Sequence, residues 1–95
     1  MTISDIKIRK TYTEGKLRAL VSITVDDCLA IHDIKVIAGT DRLFLAMPSR
    51  REKDGSFRDI IHPISGETRE MMERIILEAY HAFEANEPDP GPQLP

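Results

Sequence analysis

The stretch DIKIRKTY, residues 5 to 12, sets Ile6, Ile8 and Tyr12 on one side and Lys7, Arg9 and Thr11 on the other. A period of two belongs to a half-buried β-strand, because a helix returns its apolar stripe every three or four residues. LRALVSITV, residues 17 to 25, repeats the pattern: Leu17, Ala19, Val21, Ile23 and Val25 share one face, Arg18, Ser22 and Thr24 the other, and Leu20 is the exception. Glu14-Gly15 supplies the turn between them and makes a hairpin. Asp26-Asp27 supplies the next turn, after which LAIHDIKVI carries apolar residues on both faces, the mark of an interior strand or of one covered from both sides. A third turn falls at Ala38 to Asp41. LFLAM and SFRDIIHPI then read as fourth and fifth strands paired across an eight-residue loop, longer than the usual hairpin connection of about two to five residues.

Only the last third is helical. Ser65 can accept a hydrogen bond from a free first-turn N–H, and Glu67 meets the positive end of the helix dipole. Thr68, Met72, Ile75, Ile76, Ala79 and Phe83 follow at three- and four-residue spacing and form a stripe suited to covering a sheet. Glu70 precedes Arg74 by four residues, the spacing of a solvent-facing ion pair. The fold class expected is therefore α+β: an antiparallel five-stranded β-sheet followed by one C-terminal helix, forming a single domain over residues 1–85. Residues 86–95, NEPDPGPQLP, contain four prolines and no apolar period, so a disordered Pro-rich tail is expected there. One helix covers one face of such a sheet, leaving Leu20, Ile34, Val36 or Phe44 as candidates for an uncovered side. Uncovered apolar area of this kind marks an interface, and a homodimer joined through sheet edges or faces is expected.

Length and charge narrow the function. With 95 residues the chain has room for one core, and a domain of that size removes roughly 60 to 65% of its unfolded surface from water. Cys28 is the only cysteine, so no internal disulfide can form. With no apolar run long enough to span a bilayer and no basic-then-apolar leader at the start, the reading is a soluble cytoplasmic protein without membrane insertion. The net charge of −3 argues against coating nucleic acid through an overall positive field. Charge is nevertheless sorted along the chain: residues 1–24 sum to +3, residues 25–66 to −1, and residues 67–95 to −5.

Nothing in the sequence carries catalysis. There is no glycine-rich phosphate loop, nucleophile elbow or zinc-binding helix motif. His32 and Asp33 are adjacent, and neighbours on a regular strand point to opposite faces. Asp26, Asp27 and Asp54 sit in expected turns, where aspartate commonly bonds its own backbone. The expectation is a protein that is not an enzyme, with no catalytic residues, no metal, no cofactor and no small-molecule substrate.

The stretch AMPSRREKDGSFRDI, residues 46 to 60, gathers Arg50, Arg51, Lys53 and Arg58 around the Asp54-Gly55 turn. Exposed hairpin tips are commonly charged, and Glu52, Asp54 and Asp59 bring the cluster to +1. On residues alone a solvated tip and a binding site both stand. Three of the four cations are arginines, whose planar fork grips phosphate in two places at once.

The segments TEGKLRALVSITVDD, HDIKVI, LFLAMPSRREKDGSFRDIIHPI and TRE, in this order and spacing, resemble the SpoVG family of bacterial septation and stage V sporulation regulators. The resemblance covers about residues 1 to 82. It implies a β-rich domain with a C-terminal helix, a dimer, site-preferring DNA binding, RNA binding as well, and links to septation, sporulation and gene expression. By position the family's basic loop falls on Arg50, Arg51 and Lys53, followed by Phe57, Arg58 and Asp59, and its helix start falls on Thr68 and Arg69. Glu67 departs from the small hydroxyl residues of that helix start, and its carboxylate would repel a phosphate there. The expected nucleic-acid-binding set is Arg50, Arg51, Lys53, Arg58, Thr68 and Arg69, with the loop ranked above the helix. Two other readings compete: a protein-interaction module in cell division without a nucleic-acid role, favoured by the acidic last third, and an RNA-binding post-transcriptional regulator.

Overall fold

The computed structural model describes residues 1–86. The elements run β1 (Ile3–Thr11), β2 (Leu17–Val25), β3 (Leu29–Ala38), β4 (Leu43–Ala46), β5 (Ser49–Arg51), β6 (Phe57–Asp59) and α1 (Gly66–Asn86). β1 to β4 form one antiparallel sheet in sequence order, and β5 pairs only with β6. Among the described residues the fold is thus α+β with an antiparallel sheet and one helix after it. Asn86, placed by the sequence at the head of a tail, is the last residue of α1. The rest of the expected disordered tail lies outside the described residues.

The expected five-stranded sheet is corrected to four strands plus a separate two-stranded ribbon. Pro48 follows β4 and has no N–H to extend the ladder, so the chain leaves the sheet there. Ser49, Arg50 and Arg51 then offer no apolar side chain for a buried face, and every residue of β5 and β6 is exposed. The Ile60 N–H donates to the Pro48 carbonyl at 2.8 Å and closes the base of the ribbon.

α1 covers one face of the sheet. The core joins Ala19, Val21, Ile23 and Val25 of β2, Ile31, Ile34 and Val36 of β3, Leu45 and Met47 to Met72, Ile76 and Tyr80 of α1. Fully burying a residue such as Ile76 contributes about 1.5 to 3 kcal/mol. The helix sits slightly rotated from the expected stripe: Met72, Ile76 and Tyr80 are buried at strict four-residue spacing, whereas Phe83 is 38% exposed. The Tyr80 hydroxyl donates to Glu84 Oε2 at 2.8 Å. Burial first, and Glu84 second, push the Tyr80 phenol up to about 12. Ser65 caps the helix as its type predicts, its Oγ accepting from the Thr68 N–H at 3.1 Å. The expected Glu70–Arg74 pair does not close; Glu73 instead meets Arg42 at 3.9 Å across to the sheet.

Four irregularities bend the ladder. β1 carries an extra residue at Ser4 and another at Arg9, β2 one at Arg18, and β3 one at His32-Asp33 opposite Ser22. Asp33 lies in the left-handed region at φ 66°, which aspartate tolerates better than most residues. The β3 bulge lets Ile31 and Ile34, three residues apart, both face the helix. Hence Ile34 and Val36, two candidates for the uncovered side, belong to the core, while Leu20 and Phe44 occupy the opposite face and stay half-buried.

Candidate functional site

The β5–β6 ribbon is built around its turn. Gly55 has φ 91°, a conformation that glycine adopts without steric cost. The Gly55 N–H donates to the Glu52 carbonyl at 3.0 Å, and the Glu52 N–H donates to the Ser56 carbonyl at 2.7 Å. Asp54 Oδ1 accepts from the Ser56 hydroxyl at 2.6 Å and from the Ser56 N–H at 2.9 Å. Those bonds, the hydroxyl's first, hold the Asp54 carboxyl below its usual range. Asp54 is therefore an ionised staple of the turn, whereas Asp26 at the β2–β3 turn accepts from the distant Thr2 N–H at 2.9 Å and ties the start of the chain to that turn.

The register puts Arg50 directly opposite Arg58 and Arg51 opposite Phe57. Two like charges facing each other would weaken so short a ribbon. Glu52 answers both: Oε2 lies 3.4 Å from Arg50 Nε and Oε1 lies 3.7 Å from Arg58 Nε. Both guanidinium groups are largely exposed and the Glu52 carboxylate partly so, which leaves the pairs weak and lets an incoming phosphate compete for the guanidinium groups. Arg51 and Lys53 have no ion-pair acceptor within 4.0 Å among the described residues. The Arg51 guanidinium lies over the turn, with Nη2 3.9 Å from where a Cβ on Gly55 would sit. Arg50, Arg51, Glu52, Lys53 and Asp54 together line a shallow concavity at the ribbon tip.

Four of the six expected residues, Arg50, Arg51, Lys53 and Arg58, are thus brought together on the ribbon. Thr68 and Arg69 are occupied elsewhere. Thr68 Oγ1 accepts from the Ser65 hydroxyl at 2.9 Å, and Arg69 Nη2 donates to the Leu45 carbonyl at 3.4 Å, tying the start of α1 to β4. Beside the ribbon, Phe57, Ile60 and Ile64 are 71%, 65% and 93% exposed. Of these, the sequence named Phe57 through the family resemblance but not Ile60 or Ile64. Their signal was present as apolar residues flanking a strand too short to cover them.

Sequence reasoning also separated His32 from Asp33 by strand alternation. The bulge overturns that, and both line one concavity with Arg9, Leu20 and Ser22. Ser22 Oγ lies 2.9 Å from His32 Nδ1. Among the described residues no group of three or more His, Cys, Asp or Glu is placed to hold a metal ion. No helix among them is long and apolar enough to cross a membrane.

Comparison with known proteins places these features in a family. The family model described as SpoVG matches residues 1–82. The chain is 55% identical over 84 residues to a protein of Lachnospira eligens, covering 88% of this chain and 96% of that one. It is 58% identical over 80 residues to a protein of Agathobacter rectalis, covering 84% and 92% respectively. With a protein of Clostridioides difficile it shares 52% identity over 81 residues, covering 85% and 88%. All three relatives carry the name "Putative septation protein SpoVG".

Proposed function

The chain belongs to the SpoVG family, and from that membership we propose that it is a DNA-binding regulatory protein linked to septation and gene expression. The protein acts by binding, without catalysis, and works in the cytoplasm where the chromosome is. The observation that carries the reading is the ribbon tip, where Arg51 and Lys53 stand exposed without an ion-pair acceptor beside the Arg50–Glu52–Arg58 group. Phosphate contacts from these four cations position the nucleic acid, and a guanidinium entering a groove reads base edges.

The working species is a homodimer. Phe57, Ile60 and Ile64 support this reading, since an isolated chain of this size leaves three large apolar side chains in water around an arm that extends from the sheet. Two ribbons on one dimer engage roughly four to six phosphates, giving a logarithmic salt slope of about −4 to −5.

Fluorescence anisotropy with matched DNA and RNA, at two salt concentrations, tests the proposal. Arg51→Ala with Lys53→Ala should weaken binding about tenfold or more and flatten the slope by about 2 per ribbon contacted. Melting should be unchanged, because both side chains are exposed. Binding equal to the wild type would refute the ribbon assignment, and a clear preference for the RNA probe would shift the reading to a post-transcriptional regulator.

A further inference from the structure

The face of the sheet turned away from α1 is not a bland exterior. Its cross-strand rows place Lys7 beside Ser22 and Lys10 beside Leu20, with Lys35 on the other side of Leu20. Two bulges then aim additional polar side chains onto the same area. One of the two extra residues in β1 is Arg9, beside Val21 and Leu20, and the extra residue in β3 falls at His32-Asp33 opposite Ser22, so both bulges border the Ser22 area. Two adjoining concavities share Arg9, Ser22 and His32.

At their centre Ser22 is only 7% exposed and is hydrogen-bonded to His32 Nδ1 at 2.9 Å. Ser22 and His32 can each act as donor or acceptor in this bond, according to the ring tautomer. Around this floor stand four exposed cations, Lys7, Arg9, Lys10 and Lys35, against two carboxylates, Asp5 and Asp33. None of the four cations has an ion-pair acceptor within 4.0 Å among the described residues. The ribbon tip also has four cations but three carboxylates nearby, and one of these, Glu52, engages two of its arginines.

We propose that this open sheet face is a second nucleic-acid contact surface, with Arg9, His32, Lys7 and Lys35 holding a phosphodiester backbone over Ser22. The inference rests on the nucleic-acid reading given above but concerns a different part of the molecule. Charge complementarity selects the occupant: a face with four cations free of carboxylate partners among the described residues, one of them, Lys10, lying over the Tyr12 ring, suits a polyanion. Asp33 opposes it, and its removal has a defined sign. A face and a ribbon used together explain how a chain of net charge −3 holds a polyanion, because eight of its thirteen Lys and Arg side chains are gathered on these two surfaces.

The test uses the full chain, a fluorescein-labelled 20-base-pair duplex and a labelled single strand of the same length, each titrated at several salt concentrations. Lys7→Ala with Lys35→Ala is expected to weaken binding about tenfold and to flatten the salt slope by about 2, one phosphate per cation. Asp33→Asn is expected to tighten binding about threefold, and asparagine accepts the left-handed backbone there, so this variant keeps the fold. The probe that loses more in the face variant identifies whether the backbone held is single- or double-stranded.

Wild-type affinity and slope in both face variants, together with loss of binding in the Arg51→Ala, Lys53→Ala protein, would overturn the inference and leave the ribbon reading standing. Loss only in the face variants would overturn the ribbon reading instead. A wild-type chain that binds neither probe removes both. A face variant that changes molar mass in light scattering while binding normally overturns the inference in favour of a protein contact.

Discussion

Glu52 stands between Arg50 and Arg58 with one carboxylate oxygen toward each. The side chain therefore stabilises a ribbon whose facing arginines would repel, and at the same time withholds part of their charge from a ligand. Glu52→Gln should release both guanidinium groups, tightening DNA binding about three- to tenfold at low salt and steepening the salt slope by about 1 to 2. Anisotropy read against salt checks this; an unchanged slope would mean that Arg50 and Arg58 do not reach phosphates. At this scale the sequence was partly legible. Four cations around Asp54-Gly55 could be counted, but the pairing of Arg50 and Arg58 with Glu52 depends on a register that composition does not fix. The bond of Arg69 to the Leu45 carbonyl, which ties the start of α1 to β4, could not be seen in the sequence.

The elements follow the periodicity of their residues closely, with misses where the ladder is irregular. β1, β2 and the Ser65 cap were legible because each depends on local pattern and local hydrogen bonds. The rotation of α1 was not, since the face presented is chosen by the sheet beneath, which takes Met72, Ile76 and Tyr80. Tyr80 seals that contact, and its raised phenol makes the seal dependent on pH. The folded state prefers the protonated form, so this contribution is fully present below the ordinary phenol value near 10 and is lost as pH rises from there through about 12. Thermal unfolding followed by circular dichroism should show the melting temperature falling steeply over that window. Tyr80→Phe should melt with a shallower dependence across the same range, and an identical slope would show that the phenol does not control helix attachment.

For the whole molecule, the ribbon and the apolar side chains beside it ask for a partner. Ile60→Glu with Ile64→Glu should shift the protein from dimer to monomer in light scattering at micromolar concentration, with the core and helix content retained, because both residues are outside the core. A wild-type chain that is already monomeric would remove the dimer. The sequence by itself determined the α+β class, the strand-then-helix order, the turn positions and the family, since each rests on short-range period, turn chemistry or an ordered set of motifs. Only the tertiary structure decided that the sheet stops at four strands, that Ile34 and Val36 belong beneath the helix, and that Arg9, Ser22, His32 and Asp33 meet. The physical reason is shared: a bulge or a proline shifts every side chain after it relative to the neighbouring strand, and that shift is settled by which register buries the most apolar surface across the whole sheet.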